Sequence, residues 1–232
     1  MTNLLLLGFL IGMRHALEAD HLAAIASISS KNHTISTNLK HGLVWGIGHT
    51  TTLFLFGSIV ILMDNIIPEN VAQFLEFSVG IMLIFLGLNV IQRIIKEKVH
   101  YHAHKHQNGK EHFHAHSHID EKDHNTSSHT HTHTSFPYKT LFIGFMHGMA
   151  GSAALILLTL ETINSISVSL FYMLLFGIGS IVGMTAISIV ITIPLRASCK
   201  LTWLHNSLQA SIGVLTLGLG ITIVSQTTFW LI

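Results

Sequence analysis

A single cysteine, Cys199, in a chain of 232 residues leaves no partner for an intramolecular disulfide and excludes a paired-thiol redox relay. Charge is almost as scarce. Lys, Arg, Asp and Glu supply 10% of the residues, where a soluble domain carries roughly 25%. The net charge of +1 offers no basic surface for nucleic acid, so no nucleic-acid partner is expected. The chain has hydrophobic length instead, with 49% of its residues apolar.

A spanning helix needs about 20 apolar residues. Six stretches qualify, roughly 3–30, 38–63, 71–95, 138–160, 166–193 and 204–230, and a hydrophilic tract from about Arg93 to Lys139 interrupts them. The expectation is an all-α polytopic membrane protein with the lipid bilayer as its partner. No cleavable signal peptide is expected. The first residues lack a positive charge, and the first apolar run leads into Arg14-His15, with no small-residue cleavage site.

The placement of the basic residues sets an orientation. Lys31 and Lys40 follow the first stretch, seven Lys and Arg lie from Arg93 to Lys139, and Arg196 and Lys200 precede the sixth stretch. The turns near Asp64–Glu69 and Glu161–Ser165 hold none, so every basic residue except Arg14 falls on one side. Cytoplasmic loops concentrate Lys and Arg. The expectation is a multi-pass cell-membrane protein with both termini outside and the polar tract in the cytoplasm.

The two halves resemble each other. Gly12-Met13-Arg14-His15-Ala16 aligns with Gly144-Phe145-Met146-His147-Gly148, and Trp45-Gly46-Ile47-Gly48-His49 with Phe176-Gly177-Ile178-Gly179-Ser180. Leu75-Glu76-Phe77-Ser78-Val79-Gly80 aligns with Leu208-Gln209-Ala210-Ser211-Ile212-Gly213, and the offset stays between 131 and 133 residues. Each half holds three stretches, an odd number, so the second must enter the membrane inverted. Inverted repeats are typical of transporters, whose substrate site lies near the midplane. The divisions expected are a first three-helix repeat over 1–96, a disordered His-rich cytoplasmic loop over 97–137, and a second three-helix repeat over 138–232.

One polar cluster sits inside an apolar stretch, at Arg14-His15-Ala16-Leu17-Glu18-Ala19-Asp20-His21. Ionisable groups at bilayer depth are costly and mark function by default. The bland alternative starts the helix near Leu22 and leaves the cluster in a wet interface, but the run from Leu4 to Met13 is then too short to span. His15, Asp20 and His21 combine two imidazoles with a carboxylate, a set suited to nickel, cobalt or zinc; magnesium and calcium prefer oxygen alone. At about 100° per residue, a regular helix would scatter them, with His15 and Asp20 some 140° apart. They converge only if the helix is locally unwound or other helices complete the site. Glu18, one turn from His15, is a candidate outer acceptor for that imidazole, a partner for Arg14, or a direct ligand.

His49 is the only titratable group expected at membrane depth in the second stretch, Lys40 and His41 lying at its start. It is read either as a further ligand or as a helix–helix hydrogen-bond partner. His147 stands at the repeat position of His15 but lacks acidic companions, because Ser152 and Ala153 replace Asp20 and His21. Remnant, gate residue and weak secondary ligand are all open for His147, and Ser152 is carried as an outer candidate.

Twelve of the nineteen histidines lie between His100 and His133. Among them His100, His102, His104, His106, His112, His114, His116, His118, His129, His131 and His133 largely alternate with other residues. Such a polar tract supports no packed core, and neutral imidazole binds nickel, cobalt, copper and zinc. It is read as a metal buffer, the alternative being an inert spacer.

His15-Ala-Leu-Glu-Ala-Asp20-His21 resembles the His-x4-Asp-His signature of the nickel/cobalt transporter family, and Gly48-His49-Thr50 resembles that family's Gly-His-Ser/Thr motif. The run His147-Gly148-Met149-Ala150-Gly151-Ser152 and the six-stretch length look most like the branch of urease-accessory membrane proteins. The resemblance implies transport of nickel or cobalt as substrate, with no cofactor, at His15, Asp20, His21 and His49. Larger members carry acidic residues in the second half, where this chain has Gly151, Ser152 and Ala154. Uptake for metalloenzyme maturation, with a cytoplasmic metallochaperone as candidate partner, is set against efflux for resistance. An intramembrane metalloprotease would need two histidines one turn apart beside a glutamate, and His15 and His21 are six apart. An exporter of organic solutes would leave the clustered ligands unexplained. No enzymatic activity is expected.

Overall fold

The computed structural model describes residues 2–31, 34–63, 68–97, 100–105, 111–116, 136–149, 165–199 and 201–228. The helices are α1 (Thr2–His15), α2 (Ala19–Ser29), α3 (Ile35–Met63), α4 (Glu69–Glu97), α5 (Tyr138–Gly148), α6 (Ile166–Ser198) and α7 (Thr202–Thr228). Four of them, α3, α4, α6 and α7, have the length and apolar composition to cross a membrane. The chain is a helical membrane protein. Its outward faces carry Phe85, Val190, Trp203 and Leu215, each more than 60% exposed. Its interior combines an apolar core, with Trp45, Leu83, Phe176 and Met184, with buried imidazoles and hydroxyls.

The first stretch forms two helices. α1 stops at His15 and α2 starts at Ala19, so the unwinding required for His15 and His21 to converge is present. Of the fourth stretch, 138–160, residues 138–149 are described, with α5 over Tyr138–Gly148; the remainder, with Ser152, lies outside the described residues.

α1 packs on α6, α3 on α5, and α4 on α7. Glycines set these contacts because the backbones meet where a side chain would intrude. A Cβ on Gly12 would collide with the Phe176 carbonyl, and one on Gly144 with the Trp45 carbonyl. Gly179 lies in the same way against the Phe9 carbonyl and Gly48 against that of Leu141. Gly12 and Gly144 are repeat equivalents, as are Phe176 and Trp45. The contacts between halves therefore come in matched pairs, with small residues permitting close approach.

Polar groups near the basic end are paired, most of them between halves. Asn38 Nδ2 donates to Thr192 Oγ1 at 2.8 Å, and Ser188 Oγ donates to the Asn38 carbonyl at 2.6 Å. Gln209 Nε2 donates to the Ser30 carbonyl at 3.0 Å, while Arg93 Nη2 donates to Ser30 Oγ at 2.8 Å. In a medium without water each such bond matters, because an unpaired polar group there costs several kcal/mol, of order ~4.

The His-rich tract differs from expectation in one part. Strands β1 (His100–Lys105) and β2 (Glu111–His116) pair antiparallel, with His100 opposite His116, His102 opposite His114 and His104 opposite His112. Alternating His-x-His has the period of a strand, so the tract pairs through its backbone even though it has no apolar core. His106, His118, His129, His131 and His133 lie outside the described residues.

Candidate metal site

α1 ends by tightening. The Leu17 N–H donates to the Arg14 carbonyl at 2.8 Å and the Glu18 N–H to the His15 carbonyl at 3.0 Å, three-residue closures typical of a last helical turn. Glu18 then adopts an extended backbone, φ −62° and ψ 148°, and caps α2. The six-residue separation of His15 and His21 would place them about 9 Å apart along a continuous helix. The break brings their ring centroids to 4.4 Å.

α3 delivers His49 to the same place. Its Nε2 stands 3.3 Å from His15 Nε2, and its ring centroid is 4.9 Å from that of His21. One ligand atom from each of His15, His21 and His49 lies within 4.8 Å of the others, and all three side chains are buried. Two carboxylates stand behind two of these rings. Glu18 Oε1 is 2.9 Å from His15 Nδ1, and Asp20 Oδ1 is 2.9 Å from His21 Nδ1. His21 Nε2 has no hydrogen-bond partner among the described residues. The hydrogen bond to Asp20 fixes the tautomer of His21 and turns its Nε2 lone pair outward, as in metal-binding histidines, whereas Glu18 lies close to His15 Nδ1 without hydrogen-bond geometry. Of the roles open for Glu18, the geometry places it against His15, and Arg14 is exposed.

Asp20 is also held from the second half. Its Oδ1 accepts the His21 backbone N–H at 2.9 Å, and its Oδ2 lies 2.8 Å from His147 Nε2. Asp20, His21 and His147 form a second group of ligand atoms within 4.8 Å. His147 is fully buried in the last turn of α5, which closes with Met149 as its C-cap. His15 occupies the last turn of α1 in the same way.

Two aromatic residues close the cluster, and the motifs did not single them out. Trp45 sits one turn before His49 on α3, with ring centroids 5.4 Å from His21, 5.9 Å from His49 and 5.4 Å from His147. Phe176 stands 5.3 Å from His15. Because Trp45 and Phe176 align in the repeat, each facing the other half's helix-end histidine, the repeat contained a signal for both.

The cluster therefore presents three buried imidazoles whose nitrogens could meet on one cation. Nothing in it forms a nucleophile–base pair. The family model for the high-affinity nickel-transport protein NicO matches residues 1–229. The urease accessory protein UreH of Bacillus sp. (strain TB-90) is 35% identical over 95% of this chain and 90% of its own length. The Arabidopsis thaliana chloroplast protein FOR GROWTH AND FERTILITY 2 is 24% identical over 96% of this chain and 56% of its own length. No solved structure matches. With the match running almost from end to end, this chain belongs to the NicO family of high-affinity nickel-transport proteins, and it is a membrane transport protein and not an enzyme.

Proposed function

We propose that the chain moves a divalent transition-metal ion, nickel first and cobalt second, through the buried cluster, with His15, His21 and His49 as ligands. Glu18 orients His15; Asp20 orients His21 in the described conformation and is the anionic ligand available when the cluster rearranges. The observation that carries this reading is the convergence of three buried imidazoles at a helix break, two of them backed by carboxylates. Imidazole nitrogens about 2.0–2.1 Å from a four-coordinate ion lie about 3.3 Å apart. His15 Nε2 and His49 Nε2 stand at 3.3 Å.

The direction proposed is uptake into the cytoplasm to supply a metalloenzyme such as urease, in keeping with the name of the UreH relative. A metallochaperone on the cytoplasmic side would take the ion, with the His-rich tract gathering it there. The architecture proposed is six spans in two inverted three-helix repeats, supported by the matched contacts of Gly12 with Phe176 and Gly144 with Trp45. Radiolabelled nickel accumulation tests the function in cells that lack other nickel importers. Expression of the chain should raise accumulation, and excess cobalt should compete more strongly than zinc. Accumulation lowered by expression would establish efflux instead.

A further inference from the structure

The buried ligands form two sets, and the sets meet at one residue. His15, His21 and His49 make the first; Asp20, His21 and His147 make the second. His21 belongs to both. Its Nδ1 is 2.9 Å from Asp20 Oδ1, and its Nε2 has no hydrogen-bond partner among the described residues. The ring lies 4.4 Å by centroid from His15 on one side and 4.3 Å from His147 on the other.

The two sets also draw on opposite halves of the chain. The first takes His15 from the end of α1, the second His147 from the end of α5. A helix C-terminus carries partial negative charge and favours a cation. Two such ends, one from each half, thus flank His21. His147 is fully buried, and its Nδ1 has no hydrogen-bond partner among the described residues. A histidine kept only to hold Asp20 would need one nitrogen and could be an amide.

We propose that the cluster gives one metal ion two successive positions, the first among His15, His21 and His49 and the second among Asp20, His21 and His147, with His21 common to both. This rests on the site proposed above and adds His147 as a ligand from the second half. The change required is small. Asp20 Oδ2 and His147 Nε2 stand 2.8 Å apart, and two ligands of a four-coordinate ion span about 3.3 Å. His147 Nε2 then offers the ion its lone pair, the ring proton moving to Nδ1. Sharing His21 lets the ion change position without losing every ligand at once, so no fully stripped ion exists at bilayer depth.

The test separates a ligand from a residue that merely positions Asp20. In His147→Gln an amide N–H still donates to Asp20, but an amide is a poor ligand for nickel. Purified full-length protein would be titrated with Co2+, reading the intense absorption of four-coordinate cobalt, and nickel flux would be measured in proteoliposomes. The expected result is that His147→Gln keeps the cobalt absorption of the first position and loses at least about 10-fold in flux, the order of effect for losing a metal-site group. His49→Ala, by contrast, should lose both. Wild-type flux in His147→Gln would overturn the proposal by showing that His147 only holds Asp20. Loss of absorption together with flux would overturn it by making His147 part of a single site. His49→Ala retaining both signals would bring down the proposed site itself, a result distinct from either. Should His147→Gln not insert, His147→Asn carries the same comparison.

Discussion

The two halves pack alike and differ in chemistry. Gly12 and Gly144, Gly48 and Gly179, and Trp45 and Phe176 occupy equivalent places and make equivalent backbone contacts. At the site the equivalence fails. His49 reaches His15 at 3.3 Å, whereas its counterpart Ser180 donates to Met184 Sδ at 3.9 Å. His15 has Glu18 behind it, and His147 has Asp20 of the other half. The shared features are those that let two backbones touch, which only small residues satisfy. The features that differ are the proposed ligands, most of which come from the first half. Symmetry therefore belongs to the scaffold and asymmetry to the cargo.

The sharpest way to break that comparison is to exchange chemistry at equivalent positions. His49→Ala should bring nickel flux to background at normal membrane abundance, whereas Ser180→Ala should leave flux within about fivefold, since a weak, nonligating hydrogen bond contributes only about 1 kcal/mol. Flux measured beside immunoblotted abundance checks both. Equal loss in the two variants would make the second half an equal partner at the site.

Packing substitutions should behave in the opposite way. Gly12→Val and Gly144→Val each drive a side chain into the facing carbonyl, of Phe176 and Trp45 respectively. Overpacking costs about 1–3 kcal/mol, sometimes more. The two variants should lower the yield of folded protein by similar amounts, read as monodisperse protein on size exclusion. Strongly unequal losses would contradict the matched scaffold.

Smaller effects sharpen the account. Glu18→Gln keeps the chain's shape and weakens only the group behind His15, so nickel affinity should fall about 10- to 100-fold with transport still measurable at high metal. Deleting residues 101–134 behind a short linker should leave flux at saturating nickel unchanged and reduce it at scarce nickel. Complete loss in a stable deletion variant would place the tract in the pathway.

Much of the site was legible in the sequence because angular geometry is unforgiving. A regular helix would scatter His15, Asp20 and His21, which left a local break or completion by other helices; α1 stops at His15, His21 joins His15 and His49, and Asp20 falls in a separate group with His21 and His147. Glu18 one turn from His15 was legible for the same reason. The link from His147 to Asp20 was not, because repeat alignment identifies equivalent positions, not contacts between halves. Trp45 was hidden by chemistry: an indole among apolar residues looks like packing until three imidazoles are found against it. The strand pairing of His100–Lys105 was missed because a search for an apolar core does not register backbone periodicity.

The most direct measurement is where nickel sits in a structure of the nickel-loaded protein. The account predicts an ion in the buried cluster, about 2.0–2.1 Å from His21 and at least one further imidazole of His15, His49 or His147, with the chain still unwound between His15 and Ala19. Nickel found only along the His-rich tract, with His15 and His49 still 3.3 Å apart and His21 unliganded, would contradict it.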